Sequence, residues 1–293
     1  MSSTASCPAW ISSFEIGVIL SATPSQGAHL PRTVRIGQGG KESSALAFDS
    51  AELEAALQAP LRARQLHRAH TGSADTPPLL LEMPEEPFAD GLKHLPDTQC
   101  PAEGVVPGVK RLIANVQTLP LRRFLIHVFQ RRDVCRSFWT MPASAKHHHA
   151  RPGGLAVHSL EVAEDLAGHI GLSDTERDLG VAGALLHDIG KVWSYTPDMF
   201  PNSANLAMGH ELIGLCRLEQ NLARLEDAWP DGAYVMRCLL SGQTRMRANG
   251  SLPSSLLPRI KACDQRSCEL DRSVGGSKRN SCPVWTPGAW EDQ

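Results

Sequence analysis

The sequence predicts a mainly helical protein preceded by a small β domain. Three observations carry this. Residues 11–85 contain short β-like runs, "SFEIGVILSA", "RTVRIG", "SSALAF", "LRARQLHRA" and "PLLLEM", separated by Gly, Ser, Pro and Gln. From Val109 onward, apolar residues recur at helical spacing instead. Between the two lies "MPEEPFADGLKHLPDTQCPAEGVVPG", rich in Pro, Gly and acids and without periodicity, which reads as a linker. The expected organisation is a β domain over 1–88, a linker over 89–106, a helical domain over 107–273 and a peripheral or disordered tail over 274–293.

The front domain has one helical signal, "DSAELEAAL". Asp49 or Ser50 can cap it, and Glu52 and Glu54 fall in its first turn, where the helix dipole favours acids. It lies between the third and fourth strand candidates. Three strands, a helix and two strands is the element order of a five-stranded OB barrel, so an OB-like domain is expected.

The helical part divides as follows. "GVKRLIANVQTL" is one helix, and "PLRRFLIHVFQRR" is a second with Pro120 at its start. "GGLAVHSLEVAEDLAGHIG" begins after a glycine pair and ends at Gly171. "SDTERDLGVAGALLHDIGKVWSY" opens with Ser173 as cap and Glu176 three residues on, a capping-box signature. "GHELIGLCRLEQNLARLEDAW" reads as one long amphipathic helix. "DGAYVMRCLLSGQTRMR" and "PSSLLPRIKACDQRSCELDR" complete the set.

Composition sets limits. The chain has 293 residues, a formal net charge of −2 and an ordinary apolar content, so a sizeable core is available and no global charge argues for a polyanionic partner. No basic segment followed by an apolar run marks the N-terminus, and no window is apolar enough to span a bilayer. A cytoplasmic protein without a membrane partner is expected. The eight cysteines form no CxxC pair, which argues against a disulfide framework and against a cysteine zinc site; they read as small buried apolar residues.

The chemistry gathers in the helical half. His158, His187, Asp188 and Asp264 each lie inside a predicted helix among apolar neighbours. A buried carboxylate must be paired or must bind a metal, and "LLHDIGK" buries His187 and Asp188 side by side with Lys191 one turn beyond. Neighbouring helix residues project about 100° apart, so a ligand gripped by both sits at the helix surface. Imidazole and carboxylate together suit Mn2+, Fe2+, Co2+, Ni2+ or Zn2+.

"VHS…LLHDIGK…ACD" resembles the H…HD…D pattern of the HD-domain metal-dependent phosphohydrolases. The resemblance implies a helical bundle in which His158, His187, Asp188 and Asp264 hold one divalent metal (Mn, Mg, Ni, Co or Fe). "TMPASAKHHHARPGGLAVHSLEVA" is similar to two subfamilies: YhaM-type 3′→5′ exoribonucleases, which join an OB-like domain to an HD domain, and TraI-like proteins of conjugative elements. The likeness covers about residues 105–272. In such a site the cation polarises a phosphoryl oxygen and acidifies water. Asp188 is expected to ligate and orient that water, and Lys191 to neutralise phosphate charge. His210, at the start of the next helix, is expected beside the metal or against phosphate. Gly242 and Gln243 stand where the exonuclease pattern carries histidines, which argues for one metal rather than two. Gln243 is expected close to the site.

The run His147, His148, His149 precedes Gly153 and Gly154, which free the backbone to approach closely and to open a helix. These histidines are expected in a loop at the mouth of the cleft, with His148 and His149 meeting substrate. Arg151, Arg245 and Arg247 are the expected nucleic-acid contacts, within basic sets that also include Arg122, Arg123, Arg131, Arg132 and Arg136. Phe138 and Trp139 can stack a base or pack as core.

The function expected from all this is a metal-dependent phosphodiesterase on single-stranded RNA or DNA, working from the 3′ end. Two alternatives stand beside it. One is a TraI-like accessory protein of a conjugative element, its site degenerate or used for binding only and its partners the conjugation machinery. The other is a small-nucleotide phosphohydrolase. The sequence leaves a homo-oligomer open.

Overall fold

The computed structural model describes residues 11–27, 29–70, 76–87, 89–196, 199–243 and 255–275. The tail expected over 274–293 therefore lies almost wholly outside the described residues, as do Arg245 and Arg247.

Five strands form the front domain: β1 (Ile11–Ala22), β2 (Arg32–Gln38), β3 (Lys41–Ala47), β4 (Arg64–His70) and β5 (Leu79–Glu82). They close into a barrel in the order β1-β2-β3-β5-β4. β1 pairs antiparallel with both β2 and β4, and β3 meets β5 in parallel at Leu46 and Leu79. Alternation explains the closure: on β2, Val34 and Ile36 face inward while Thr33 and Arg35 face water. Helix α1 (Ala51–Gln58) sits between β3 and β4. Its cap is Ser50, whose hydroxyl accepts from Leu53 N at 3.0 Å, and Leu53 and Ala56 turn into the barrel core beside Ile19, Val34, Ile36 and Leu66.

The segment expected as a linker is packed instead. It folds into two 3-10 turns, Gly91–His94 and Asp97–Gln99, and Leu92, Leu95 and Cys100 are buried. Its apolar residues lack helical or strand periodicity because short 3-10 turns impose neither.

Helices α2 (Val105–Asn115), α3 (Leu119–Phe129), α4 (Arg132–Ser137), α5 (Gly154–Ala167), α6 (Asp174–Leu186), α7 (Lys191–Ser194), α8 (Ser203–Arg217), α9 (Glu219–Ala228), α10 (Pro230–Leu240) and α11 (Leu256–Gly275) follow. The Ser173–Glu176 capping box opens α6 as expected. Phe129, Phe138 and Trp139 interlock at the centre of the helical core, with ring centroids 5.0–5.7 Å apart, so the last two are core and not a base platform. The core does not stop at the domain boundary: Val18, Leu20 and Leu61 of the barrel belong to the same buried cluster as α2–α6. Arg132 fastens the joint, donating to Ala59 O and Leu20 O at 2.8 Å each and also to Ala56 O.

Two expected helices are broken. "GALLHDIGKVWSY" does not run through: α6 ends at Leu186, residues 187–190 form a turn, and α7 starts at Lys191. The turn lets Gly190 press on α8, where a Cβ on Gly190 would fall 1.8 Å from His210 O. "GHELIGLCRLEQNLARLEDAW" divides into α8 and α9 at Leu218, and α8 itself is broken at Gly209, whose φ of 79° and ψ of 157° are not helical. His210 thus opens the second stretch of α8.

Candidate metal centre

The centre is assembled from three elements: α5, the turn after α6, and α11. His158 lies on α5 and is fully buried; Asp188 is 6% exposed in the turn. His158 Nε2 stands 3.3 Å from His187 Nε2, 3.1 Å from Asp264 Oδ1 and 3.8 Å from Asp188 Oδ2, while His187 Nε2 is 3.6 Å from Asp188 Oδ2. The four side chains singled out in the sequence therefore converge on one point.

Their other atoms fix how they point. His187 Nδ1 is 2.7 Å from Ala184 O, a carbonyl that can only accept, so this ring carries its proton on Nδ1 and turns the Nε2 lone pair to the centre. Ser267 Oγ donates to Glu161 Oε2 at 2.6 Å and so accepts from His158 Nδ1 at 3.0 Å, which aims His158 Nε2 at the same place. Two imidazole lone pairs and two carboxylates crowd together with no donor of their own among them. Metal–nitrogen and metal–oxygen bonds of about 2.1 Å put neighbouring ligand atoms roughly 3.0–3.4 Å apart. The edges from His158 to His187 and to Asp264, 3.3 and 3.1 Å, fall in this range, the two to Asp188 Oδ2, 3.6 and 3.8 Å, lie just beyond it, and the donors are the nitrogen and oxygen types a divalent cation takes. His158, His187 and Asp188 also form a compact set of ligand atoms by themselves.

Charge around the centre is arranged for ligation. Burial pushes His187 down, so the ring is neutral as a ligand must be. Burial alone would raise the Asp188 carboxyl, but Lys191, His187 and His210 outweigh it and hold that group well below the usual carboxylate range. Asp264 is likewise lowered: burial opposes, while the contact with His158 and the nearness of His187 prevail. Lys191 is no surface lysine. It is 8% exposed and donates to Asp188 Oδ2 at 2.6 Å and Ala143 O at 2.8 Å. His210 Nε2 donates to Asp188 Oδ1 at 2.9 Å. Asp188 is thereby clamped from both sides.

A cleft of about 390 Å³ opens onto this centre, with His148, His187, Asp188, Lys191, His210 and Asp264 in its wall. His148 Nδ1 is buried there with no hydrogen-bond partner, and burial together with the nearby His158 and Lys191 pushes this ring down to about 4. It is a neutral polar group facing the cleft.

Several sequence expectations are corrected. His149 is not at the mouth: it is fully buried, with Nε2 3.0 Å from Glu161 Oε2 and its backbone N donating to Asp271 at 2.7 Å. Its φ of 47° is left-handed, and the backbone there comes so close to α5 that a Cβ on Gly154 would fall 1.9 Å from His149 O. The residue braces the loop. Arg151 donates to Asp271 Oδ1 at 2.8 Å and lines a different cavity, beside Glu161 and Ser267. Gln243 is exposed past the end of α10 and is not among the residues lining the cleft, although its neighbour Gly242 is. Arg131, Arg132 and Arg136 do not flank the metal cleft either; they line a cavity between the barrel and the helices.

Three residues were missed by sequence reasoning. Ser267 and Glu161 orient His158, and Cys268, pushed up to about 12 by burial and by Asp264, stays a thiol and touches Asp264 Oδ1 at 3.6 Å. Their signal was spacing: Asp264, Ser267, Cys268 and Asp271 recur at i, i+3, i+4 and i+7, one stripe of α11, and Glu161 follows His158 by one turn of α5.

Residues 155–241 match the family model described as HD domain. That span includes His158, His187, Asp188 and His210 and stops short of Asp264. A stretch of 101 residues, 34% of this chain, is 32% identical to the 3′-5′ exoribonuclease YhaM of Geobacillus sp. (strain WCH70) and spans 28% of that protein. No solved structure matches this chain. Among the described residues, no helix is long and apolar enough to cross a membrane.

Proposed function

Starting from an HD domain at residues 155–241, we propose that the protein is a metal-dependent phosphohydrolase that cuts phosphodiester bonds in single-stranded nucleic acid, removing nucleotides from the 3′ end. The observation that carries the phosphohydrolase reading is the convergence of His158, His187, Asp188 and Asp264, with both imidazole tautomers set from outside so that Nε2 faces the centre. A divalent ion held by these four would supply Lewis acidity to a phosphoryl oxygen and make water a better nucleophile near neutral pH.

The chain's own groups do the rest. Asp188 offers Oδ2 to the centre while His210 steadies Oδ1. Lys191 offsets the carboxylate charge from beneath and holds the turn to Ala143, a positioning task rather than the phosphate contact expected of it. We assign His148, a neutral ring in the cleft wall, to hydrogen-bond an incoming phosphate or sugar.

The nucleic-acid reading draws support from two further facts. The barrel has the strand order and helix position of an OB fold, whose surface suits single strands, and it carries an exposed Phe14 stacked on His67 at 4.2 Å and 13°. The relative of 32% identity is a 3′-5′ exoribonuclease by name.

The test is direct. Purified protein with Mn2+ or Mg2+ is given 5′-labelled single-stranded RNA and DNA beside an Asp188→Asn control. A ladder shortening from the 3′ end, absent in the control, is expected. Equal inertness of both proteins toward nucleic acids and toward a small phosphodiester such as bis-p-nitrophenyl phosphate would sink the reading.

A further inference from the structure

A second cavity, about 480 Å³, opens between the barrel and the helices. Its wall brings together Arg62 after α1, His127 on α3, Arg131, Arg132 and Arg136 around α4, and Arg224 on α9. One carboxylate shares that wall, Asp133, and it is already engaged: it accepts from Arg131 Nη2 at 2.6 Å and from Trp193 Nε1 at 2.9 Å. Five arginines thus share the wall with one engaged acid, and one of them, Arg62, also lies 3.8 Å from Glu85 outside the wall.

Two details separate this cavity from an ordinary solvated patch. Arg132 donates only to backbone carbonyls, so its charge has no counter-ion, and burial with Arg136 and Arg64 nearby pushes it down to about 10. Arg136 and Arg224 are exposed and have no carboxylate within 4.0 Å among the described residues; Arg123, Arg217 and Arg272 share that condition, but Arg136 and Arg224 line one cavity together. The basic side chains named here are arginine and histidine. A planar fork of donors matches phosphate oxygens two at a time, which a lysine point charge does not. Helix α7 links the cavity to the metal centre, since Trp193 holds Asp133 while Lys191, two residues earlier, holds Asp188.

We propose that this interdomain cavity is a phosphate-binding site that grips the backbone of a single-stranded nucleic acid outside the metal centre. The proposal rests on the nucleic-acid reading above but not on catalysis. Arg136 and Arg224 take the phosphates, Arg62 closes the site from the barrel side, and Arg132 sets the local potential. The strand is thereby held by both halves of the molecule at once.

The experiment measures binding with the metal chelated, so that cutting plays no part. Fluorescence anisotropy of a labelled single-stranded oligonucleotide is recorded across a salt series for the wild type, for Asp188→Asn and for the double variant Arg136→Glu with Arg224→Glu. The double variant is expected to bind at least about tenfold more weakly near 0.1 M salt, and to lower the slope of log K against log salt by about 1.4, two phosphate contacts' worth. Asp188→Asn guards against cutting by residual metal. Cleavage of bis-p-nitrophenyl phosphate by the metal-loaded double variant is unchanged. Thermal melting confirms that it folds, and Arg136→Gln with Arg224→Gln gives the same ordering if charge reversal disturbs the fold. Wild-type affinity and slope in both double variants would overturn the proposal. So would a loss seen with inorganic phosphate or a mononucleotide but not with the strand, or displacement of the strand by polyglutamate at equal charge concentration. A wild type that cuts nothing, yet loses strand binding in the double variant, defeats the catalytic reading and leaves this one standing.

Discussion

Ser267 does for His158 what Ala184 O does for His187: it fixes which nitrogen is free. Replacing it with alanine removes that acceptor without opening the core much, and outer partners of this kind are worth about 10- to 100-fold in metal affinity. Ser267→Ala is expected to weaken metal binding within that range by calorimetry while leaving the far-ultraviolet dichroism unchanged, and Ser267→Thr to restore most of it. A second prediction concerns His148. Its folded value of about 4 lies below the ordinary 6.5 or so of a free imidazole, so as pH falls the unfolded chain takes up this proton first. Folded stability therefore drops between about pH 6.5 and pH 4 on its account. The metal-free His148→Gln protein should lose fewer degrees of melting temperature than wild type between pH 7 and pH 5; an equal loss would show that this ring does not titrate as described. At this scale the sequence was legible for which four side chains come together, because the resemblance to the H…HD…D pattern singled out His158, His187, Asp188 and Asp264. It was not legible for His149. Three adjacent histidines look alike in a string, and only the left-handed backbone at the third sends it inward to Glu161.

The turn between α6 and α7 shows the same contrast among elements. The apolar run through "GALLHDIGKVWSY" gives no sign of a break, since isolated glycines occur within helices. What breaks it is tertiary: α8 crosses so near that residue 190 can carry no side chain. That approach is also what delivers His210 to Asp188. Gly190→Ala should therefore cost about 3 kcal/mol of stability by denaturant titration, and the folded fraction should lose metal affinity through displacement of His210. Where local chemistry alone decides, the string was sufficient: the Ser173 capping box, the Ser50 cap and Pro120 at the head of α3 all stand where the residues placed them. The front domain was legible from its element order, whereas the register and closure of the barrel were not, since alternation on strands such as β2 sets only which residues face inward.

On the scale of the whole molecule, the expected linker is the instructive failure. Its Pro, Gly and acidic residues suggested a spacer, yet Leu92 and Leu95 tie it to the core that Val18, Leu20 and Leu61 share with the helices. Barrel and helices should then melt in one transition, and Leu61→Ala, a truncation at the joint, should lower the stability of both halves together by about 2–5 kcal/mol. Two resolved transitions in calorimetry would contradict this. Arg132 adds a consequence of another kind. Its donors end on three carbonyls, one on β1, one in α1 and one just after α1. A carbonyl is offered by every residue, so the Arg132 contacts set no side-chain requirement of their own at 20, 56 and 59, whereas an insertion or deletion there would move the acceptors away. Such a joint is a ruler more than a lock: it reads the length of chain between β1 and the end of α1.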